Sequence, residues 1–279
     1  MQNQISPLVL SFGSSDPLGA IGIQADLGSF AAMGCHGLTV ITAILVGDTT
    51  QITDIEPIDA EILIEQARTI LEDVPVAAFK LGTIGSIENV SAIAEIVSDY
   101  PEVPLIFDPF ASAMPDQGQD SEDIYLAACE LIIPQTTLLI ASMVEISRIA
   151  ETWREPSTED TLALDVQHLI ESGCEYVLVT GSSSSSSEIS NFLFDQTGII
   201  RHDSWPRLAG SFLGAGSTLS AAIAALIANG LDMPEAVLEA QEFTNAALAH
   251  GQRFGMGKLV PDRYFWAREA DTVQDLDQT

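Results

Sequence analysis

Lysine is nearly missing from this chain. Across 279 residues, forty acidic side chains face ten basic ones, for a formal net charge of −30, and Lys80 and Lys258 are the two lysines. So much carboxylate repels the phosphate backbone of nucleic acid and the anionic face of a membrane, and neither is expected as a partner. It also opposes an anionic nucleotide at long range unless salt screens the field. The composition therefore predicts a host of high ionic strength. Cysteine is scarce as well. Cys35, Cys129 and Cys174 are odd in number, far apart and form no CxxC pair. This excludes a disulfide scaffold and reads as unpaired thiols in a reducing cytoplasm. No apolar run reaches membrane-span length, and MQNQISPLVL lacks a basic region ahead of a long apolar one, so no signal peptide is expected. His36, His168, His202 and His250 show no ligand spacing.

What is present is a hydrophobic fraction of 47%, ample for a core. Short β-branched runs alternate with helical patterns. Strands are expected at Pro7–Phe12, His36–Val46, Val76–Leu81, Pro104–Phe107, Thr137–Ile140 and Glu175–Thr180. Helices are expected at Gly22–Met33, Asp59–Leu71, Ile87–Ser98, Glu122–Leu131, Val144–Glu151 and Thr158–Ser172. Six serines, Ser182–Ser187, read as a flexible loop before a hairpin of Ile189–Phe194 and Gly198–His202. Asp232 caps a last long helix, which runs to about His250. The alternation predicts one α/β domain over residues 1–269, with a loose acidic tail at 270–279. In such a sheet, ligands bind beyond the carboxyl ends of the strands.

One stretch organises the rest: GSFLGAGSTLSAAIAALIANG, Gly210 to Gly230. Glycines at 214 and 216 lead straight into an Ala-rich apolar helix. There the first N–H groups, with the helix dipole behind them, can hold an anion. Ser217 and Thr218 fall in the first turn, where a hydroxyl can cap the helix or face the anion. The same small residues also suit close packing of a helix on a sheet, and the residues alone leave both readings open. Other positions are open in the same way. Asp16 can touch substrate or form a Ser-x-Asp-Pro turn. Asp108 can serve a metal or an Asp-Pro turn, and Glu145 can bind a ligand or complement a helix dipole. Asp26 reads as a structural carboxylate, with Lys80 as its partner or that of Asp108.

Gly22-Ile23-Gln24-Ala25-Asp26-Leu27, Val40-Ile41-Thr42-Ala43, Lys80-Leu81-Gly82, Gly214-Ala215-Gly216-Ser217-Thr218-Leu219-Ser220 and the close from Gly255 to Trp266 are together specific. In these the chain resembles the hydroxymethylpyrimidine/phosphomethylpyrimidine kinases of the ribokinase superfamily. The resemblance spans nearly the whole chain. It implies a three-layer α/β/α sandwich around a mostly parallel sheet. It implies a cytoplasmic homodimer that moves phosphate from ATP to a pyrimidine alcohol, or to its monophosphate, in thiamine biosynthesis. It implies an anion hole at Gly214, Ala215 and Gly216 with Ser217 at the base position. It places the acceptor at Asp16, Ile21, Leu45, Gly47, Thr83 and Phe110, and ATP at Ser142, Glu145, Thr180 and Gly181. Mg²⁺ would sit near Asp108 and Glu145, held through water.

The departures cluster in the site. Ser217 stands where the family has Cys or Asp as base, and a hydroxyl is a far weaker base. Ser142 replaces an asparagine, Thr180 a lysine, Gly47 a glutamine and Thr83 a methionine. Phe110, Ile21 and Ala20 differ as well. The pattern points to a divergent kinase. The alternatives are a catalytically depleted paralogue that still binds a pyrimidine or nucleotide, and a kinase for another vitamin-like alcohol such as pyridoxal.

Overall fold

The computed structural model of the chain describes residues 6–109, 115, 119–156, 161–182 and 187–267. Phe110, the expected helix start at Thr158, most of the serine run and the 270–279 tail lie outside them.

In chain order the strands are β1 (Leu8–Ser15), β2 (His36–Gly47), β3 (Ile52–Pro57), β4 (Ala78–Leu81), β5 (Leu105–Phe107), β6 (Leu138–Ser142), β7 (Tyr176–Ser182), β8 (Glu188–Asp195) and β9 (Gly198–Pro206). The helices are α1 (Gly22–Ala32), α2 (Ala60–Asp73), α3 (Ile87–Ser98), α4 (Gln119–Leu131), α5 (Met143–Ala150), α6 (Leu162–Glu171), α7 (Ala215–Ala228) and α8 (Met233–Ala249). The nine strands form one sheet in the order β3-β2-β1-β4-β5-β6-β7-β8-β9. Its centre, β2 through β7, is parallel, and antiparallel β3 and the β8/β9 pair close the two sides.

Strand side chains alternate between two covered faces. Leu105 and Phe107, Leu139 and Ala141, Val177 and Val179 point into one core with α2 to α6. Ile106, Leu138, Ile140 and Leu178 point into the other, beneath α1, α7 and α8. Burial on both sides is why these strands read as unbroken apolar runs rather than alternating ones. α7 is buried all round from Ser217 to Leu226, as a helix with no polar face must be. Cys35 and Cys174 are buried, Cys129 is half-buried, and all three thiols are free; burial pushes Cys174 up to about 12.

Several elements differ from expectation, with β9 running past His202 to Pro206. β1 runs through Gly13, Ser14 and Ser15, because Ser15 still pairs with Ile44 of β2 across a bulge. β3 is not visible in the sequence. Of its six residues only Ile55 is buried, and Asp54, Glu56 and Pro57 give it the character of a protected edge. Gly47 belongs to this hairpin. A Cβ there would lie 2.7 Å from the Gln51 carbonyl oxygen and 2.9 Å from Ile52 Cα.

Candidate active site

α7 starts at Ala215, with Gly214 as its N-cap at φ +100°. No side chain caps it. The helical ladder begins with Thr218 N–H donating to the Gly214 carbonyl at 3.0 Å. The amides of Ala215, Gly216 and Ser217 precede the ladder and have no partner within the helix, as at any helix start. The Thr218 hydroxyl donates back to the Gly214 carbonyl at 2.7 Å, so it neither caps the helix nor faces outward. Ser217 is buried, 2% exposed.

Gly214, Ala215 and Gly216 line a cleft of about 550 Å³ at the carboxyl ends of the strands. Asp108, Ser142, Glu145, Thr180 and Gly181 line it too. They come from three separate places in the chain, and the ends of β5, β6 and β7 bring them together with α7. Ser142 and Glu145 form a capping box on α5. The Ser142 N–H donates to Glu145 Oε2 at 2.7 Å, and Glu145 N–H donates to Ser142 Oγ at 3.3 Å. Asp108 is buried and accepts from Ser220 Oγ of α7 at 3.0 Å. Burial raises its pKa to about 6, and Glu145 and Asp26 push the same way against the pull of Lys80.

Behind the cleft, Lys80 Nζ pairs with Asp26 Oδ1 at 3.1 Å, both fully buried, and Ser11 Oγ donates to Asp26 Oδ2 at 2.6 Å. This is the structural carboxylate and interior lysine that the sequence suggested. Among the described residues no cluster of three or more His, Cys, Asp or Glu could enclose a metal. Two carboxylates on one cleft nevertheless suit Mg²⁺, which keeps several waters and needs one or two carboxylates plus phosphates.

Of the residues expected at the acceptor, Asp16, Ile21, Leu45 and Thr83 lie together outside that cleft, with Ile55 bordering both the Ile21–Leu45 cluster and the cavity of Thr83. The Asp16 carboxylate accepts from the N–H groups of Leu18 at 3.0 Å, Ala20 at 2.8 Å and Ile21 at 3.0 Å, so it organises the turn after β1. Ile21 and Leu45 are buried in a small apolar cluster with Ala20, Ala43, Ile55, Leu213 and Val260. Thr83 lines a separate small cavity with Ile55, Phe107 and Pro109. None of Asp16, Ile21, Leu45, Gly47 and Thr83 lines the large cleft.

Sequence reading did not find the far wall. Asn191 Oδ1 accepts from Gly181 N–H at 3.0 Å, and Asn191 Nδ2 donates to Gln241 Oε1 at 2.7 Å. Trp205 Nε1 donates to the same oxygen at 3.0 Å. Beside them the buried Thr244 hydroxyl has no hydrogen-bond partner among the described residues. Arg207 and Lys258 are the cations lining the cleft. Single polar residues scattered over β8, β9 and α8 leave no motif. Arg263 falls within the closing stretch that carries the resemblance, but nothing in that stretch announces its role. It is 6% exposed beside α7, and burial lowers its pKa to about 10.

With this geometry in place, comparison with known proteins is decisive. The phosphomethylpyrimidine kinase family model matches residues 16–262. The chain belongs to the phosphomethylpyrimidine kinase family. It is 30% identical over 255 residues to the hydroxymethylpyrimidine/phosphomethylpyrimidine kinase of Rhizobium meliloti (strain 1021), covering 91% of this chain and 95% of that one. Among solved structures it is similar to the pyridoxal kinase from Staphylococcus aureus in complex with AMP-PCP. There the TM-score is 0.81 at 23% identity, with 93% of this chain and 94% of that one covered. It is also similar to phosphomethylpyrimidine kinase from Clostridium difficile 630, with a TM-score of 0.70 at 24% identity and 86% and 98% covered. These two likenesses establish the ribokinase-like fold. Family members are kinases, phosphotransferases acting on an alcohol.

Proposed function

We propose that this kinase transfers the terminal phosphoryl group of ATP to the primary alcohol of 4-amino-5-hydroxymethyl-2-methylpyrimidine, or to its monophosphate. The observation that carries the reading is that the free amides opening α7 share one cleft with Asp108, Glu145, Ser142 and Thr180. In the step, the alcohol oxygen forms a bond to the γ-phosphorus while the bond from that phosphorus to the bridging oxygen breaks. The hydroxyl proton passes to solvent water or to an oxygen of the transferred phosphoryl group, and ADP departs with the electron pair of the broken bond. The amides of Ala215, Gly216 and Ser217 would hold the charge on the moving group in a partly dry site, where such donors are worth most. Arg207 and Lys258 are placed to meet the rest of the polyphosphate.

Asp108 and Glu145 would hold Mg²⁺ through water, and the ion would supply charge neutralisation along the phosphates. Ser217 occupies the base position, so this site gives up part of the 10²–10⁴-fold (roughly) that general-base assistance contributes. A homodimer belongs to the same reading and is tested by sedimentation.

A coupled assay of ADP release with the pyrimidine alcohol, ATP and Mg²⁺ in high KCl tests the activity. Turnover above an empty-vector control is expected, and none would end the reading. The burial of Ile21 and Leu45 in an apolar cluster favours a second reading, a paralogue that binds nucleotide without efficient transfer. Calorimetric nucleotide binding without turnover would select it.

A further inference from the structure

We infer that Arg263 is a positioning residue for the anion site: it ties the turn after β1 to the first turn of α7 and thereby fixes the amides that receive the phosphoryl group. The inference rests on the phosphotransfer reading above.

Arg263 Nε donates to Thr218 Oγ1 at 3.0 Å, and that hydroxyl donates to the Gly214 carbonyl at 2.7 Å. One hydroxyl thus links the guanidinium to the left-handed glycine that starts the helix. Arg263 Nη2 donates to the Ala20 carbonyl at 2.6 Å and Nη1 to the Gly19 carbonyl at 3.3 Å. That Ala20 carbonyl is the atom against which Gly214 packs. Three segments distant in sequence, at 19–20, 214–218 and 263, therefore meet at one buried cation.

The charge matters as well as the fork. A Cβ at position 214 would lie 3.0 Å from Arg263 Nη2, so the guanidinium sits directly beside the start of α7. There it adds to the positive end of the helix dipole in the interior, where screening is weak. Arg263 does not line the cleft, so it acts through Thr218 and Gly214 rather than on the phosphoryl group. Lysine, a single point charge, cannot reach three acceptors in one plane.

The test compares Arg263→Met, Arg263→Lys and Thr218→Val with the full-length wild type. It reads kcat and KM for the pyrimidine, Tm, and calorimetric affinity for AMP-PCP and for adenosine. Misplacing an anion site by an ångström or so costs about 10²-fold, and that loss is expected in kcat for Arg263→Met with KM for the pyrimidine unchanged. AMP-PCP affinity should fall about tenfold while adenosine affinity holds, because only the former meets the anion site. Arg263→Lys should recover part of the loss. Thr218→Val should show the same pattern, and the double variant should be no worse than Arg263→Met alone.

A folded Arg263→Met with unchanged kcat overturns the inference. So does equal loss for AMP-PCP, adenosine and pyrimidine, which marks a purely structural arginine. If Arg263→Met does not fold, Thr218→Val, which leaves the arginine in place, decides by the same criteria. A wild type without turnover ends the kinase reading alone, and the contrast between AMP-PCP and adenosine still decides on Arg263. Failure of the wild type to bind AMP-PCP overturns both.

Discussion

A Cβ on residue 214 would lie 1.9 Å from the carbonyl oxygen of Ala20. The turn held by Asp16 and the start of α7 thus meet backbone to backbone at this point, and Gly214 also sits at φ +100°. Backbone on one side and a left-handed conformation on the other leave no cheap relaxation. Gly214→Ala is expected to lower stability by about 1–3 kcal/mol from strain alone. It should cost about 10²-fold in phosphotransfer as the amides move. Thermal melting and ADP release check this, and an unchanged Tm would refute the contact.

The buried pair behind the site gives a second expectation. Lys80 and Asp26 are fully buried and 3.1 Å apart, and Lys80 also acts on Asp108. Removing one partner of such a pair costs about 3–5 kcal/mol, because it strands the other charge. Lys80→Met should lose stability of that size, read as a lower Tm. Adding Asp26→Asn should return part of it, since Ser11 can still donate to the amide oxygen. Additive losses in the double variant would show that the two charges are not coupled.

How much of this was legible in the sequence follows from what each residue contacts. α3 keeps the bounds that its spacing predicts, Ile87–Ser98, because Ser86 caps it and its apolar stripe faces a single core. Gly214 to Ser220 was legible because one short stretch carries both the turn and the helix. Lys80 and Asp26 were legible because each is a charge flanked directly by apolar residues, Phe79 and Leu81, and Ala25 and Leu27. β3 was not, because an edge strand with one buried residue has no apolar signature. Nor was the role of Asp16, since a turn-former and a ligand have the same sequence. The Asn191–Gln241–Trp205 wall and Arg263 depend on contacts across 36 residues and more, which no local pattern records.

Asp108 gives an expectation in pH. Burial raises its pKa from an ordinary 3.8 to about 6. An acid raised in this way contributes stability that is complete below its unfolded value and lost as pH rises through about 6. Above that pH the fold carries a buried carboxylate at a cost. Asp108→Asn, always neutral and still able to accept from Ser220, should therefore be more stable than wild type at pH 8, by at most on the order of 3 kcal/mol. The gain should vanish near pH 4. Phosphotransfer should fall, because a carboxylate facing the cleft is gone. Paired melts across pH in metal-free buffer check the sign, and a gain that grew toward low pH would refute it.

Ser217, which the family resemblance puts at the base position, is 2% exposed and lies behind the residues that line the cleft. A thiol ionises far more readily than a hydroxyl, so Ser217→Cys should raise kcat. The general-base contribution sets a ceiling of about 10²–10⁴-fold. The acidic limb of the pH–rate profile should then report a thiol. Ser217→Ala should change little by comparison. A large loss in Ser217→Ala would instead mean that the hydroxyl already takes part.

The charge yields the last expectation, and here two effects oppose each other. Salt weakens local attraction between ATP and the cations at the cleft, Arg207 and Lys258. Salt also weakens long-range repulsion between ATP and a chain of net charge −30. The Debye length falls from about 10 Å at 0.1 M to about 3 Å at 1 M, so charges far from the cleft are screened first. Thirty uncompensated charges outweigh two cations. Over this range KCl should raise Tm, since self-repulsion of the compact state is relieved. It should also lower KM for ATP while leaving KM for the uncharged pyrimidine alcohol unchanged. Melting curves and steady-state kinetics at fixed Mg²⁺ separate the two effects. If KM for ATP climbs with KCl, attraction at the cleft dominates and the surface charge does not govern nucleotide encounter.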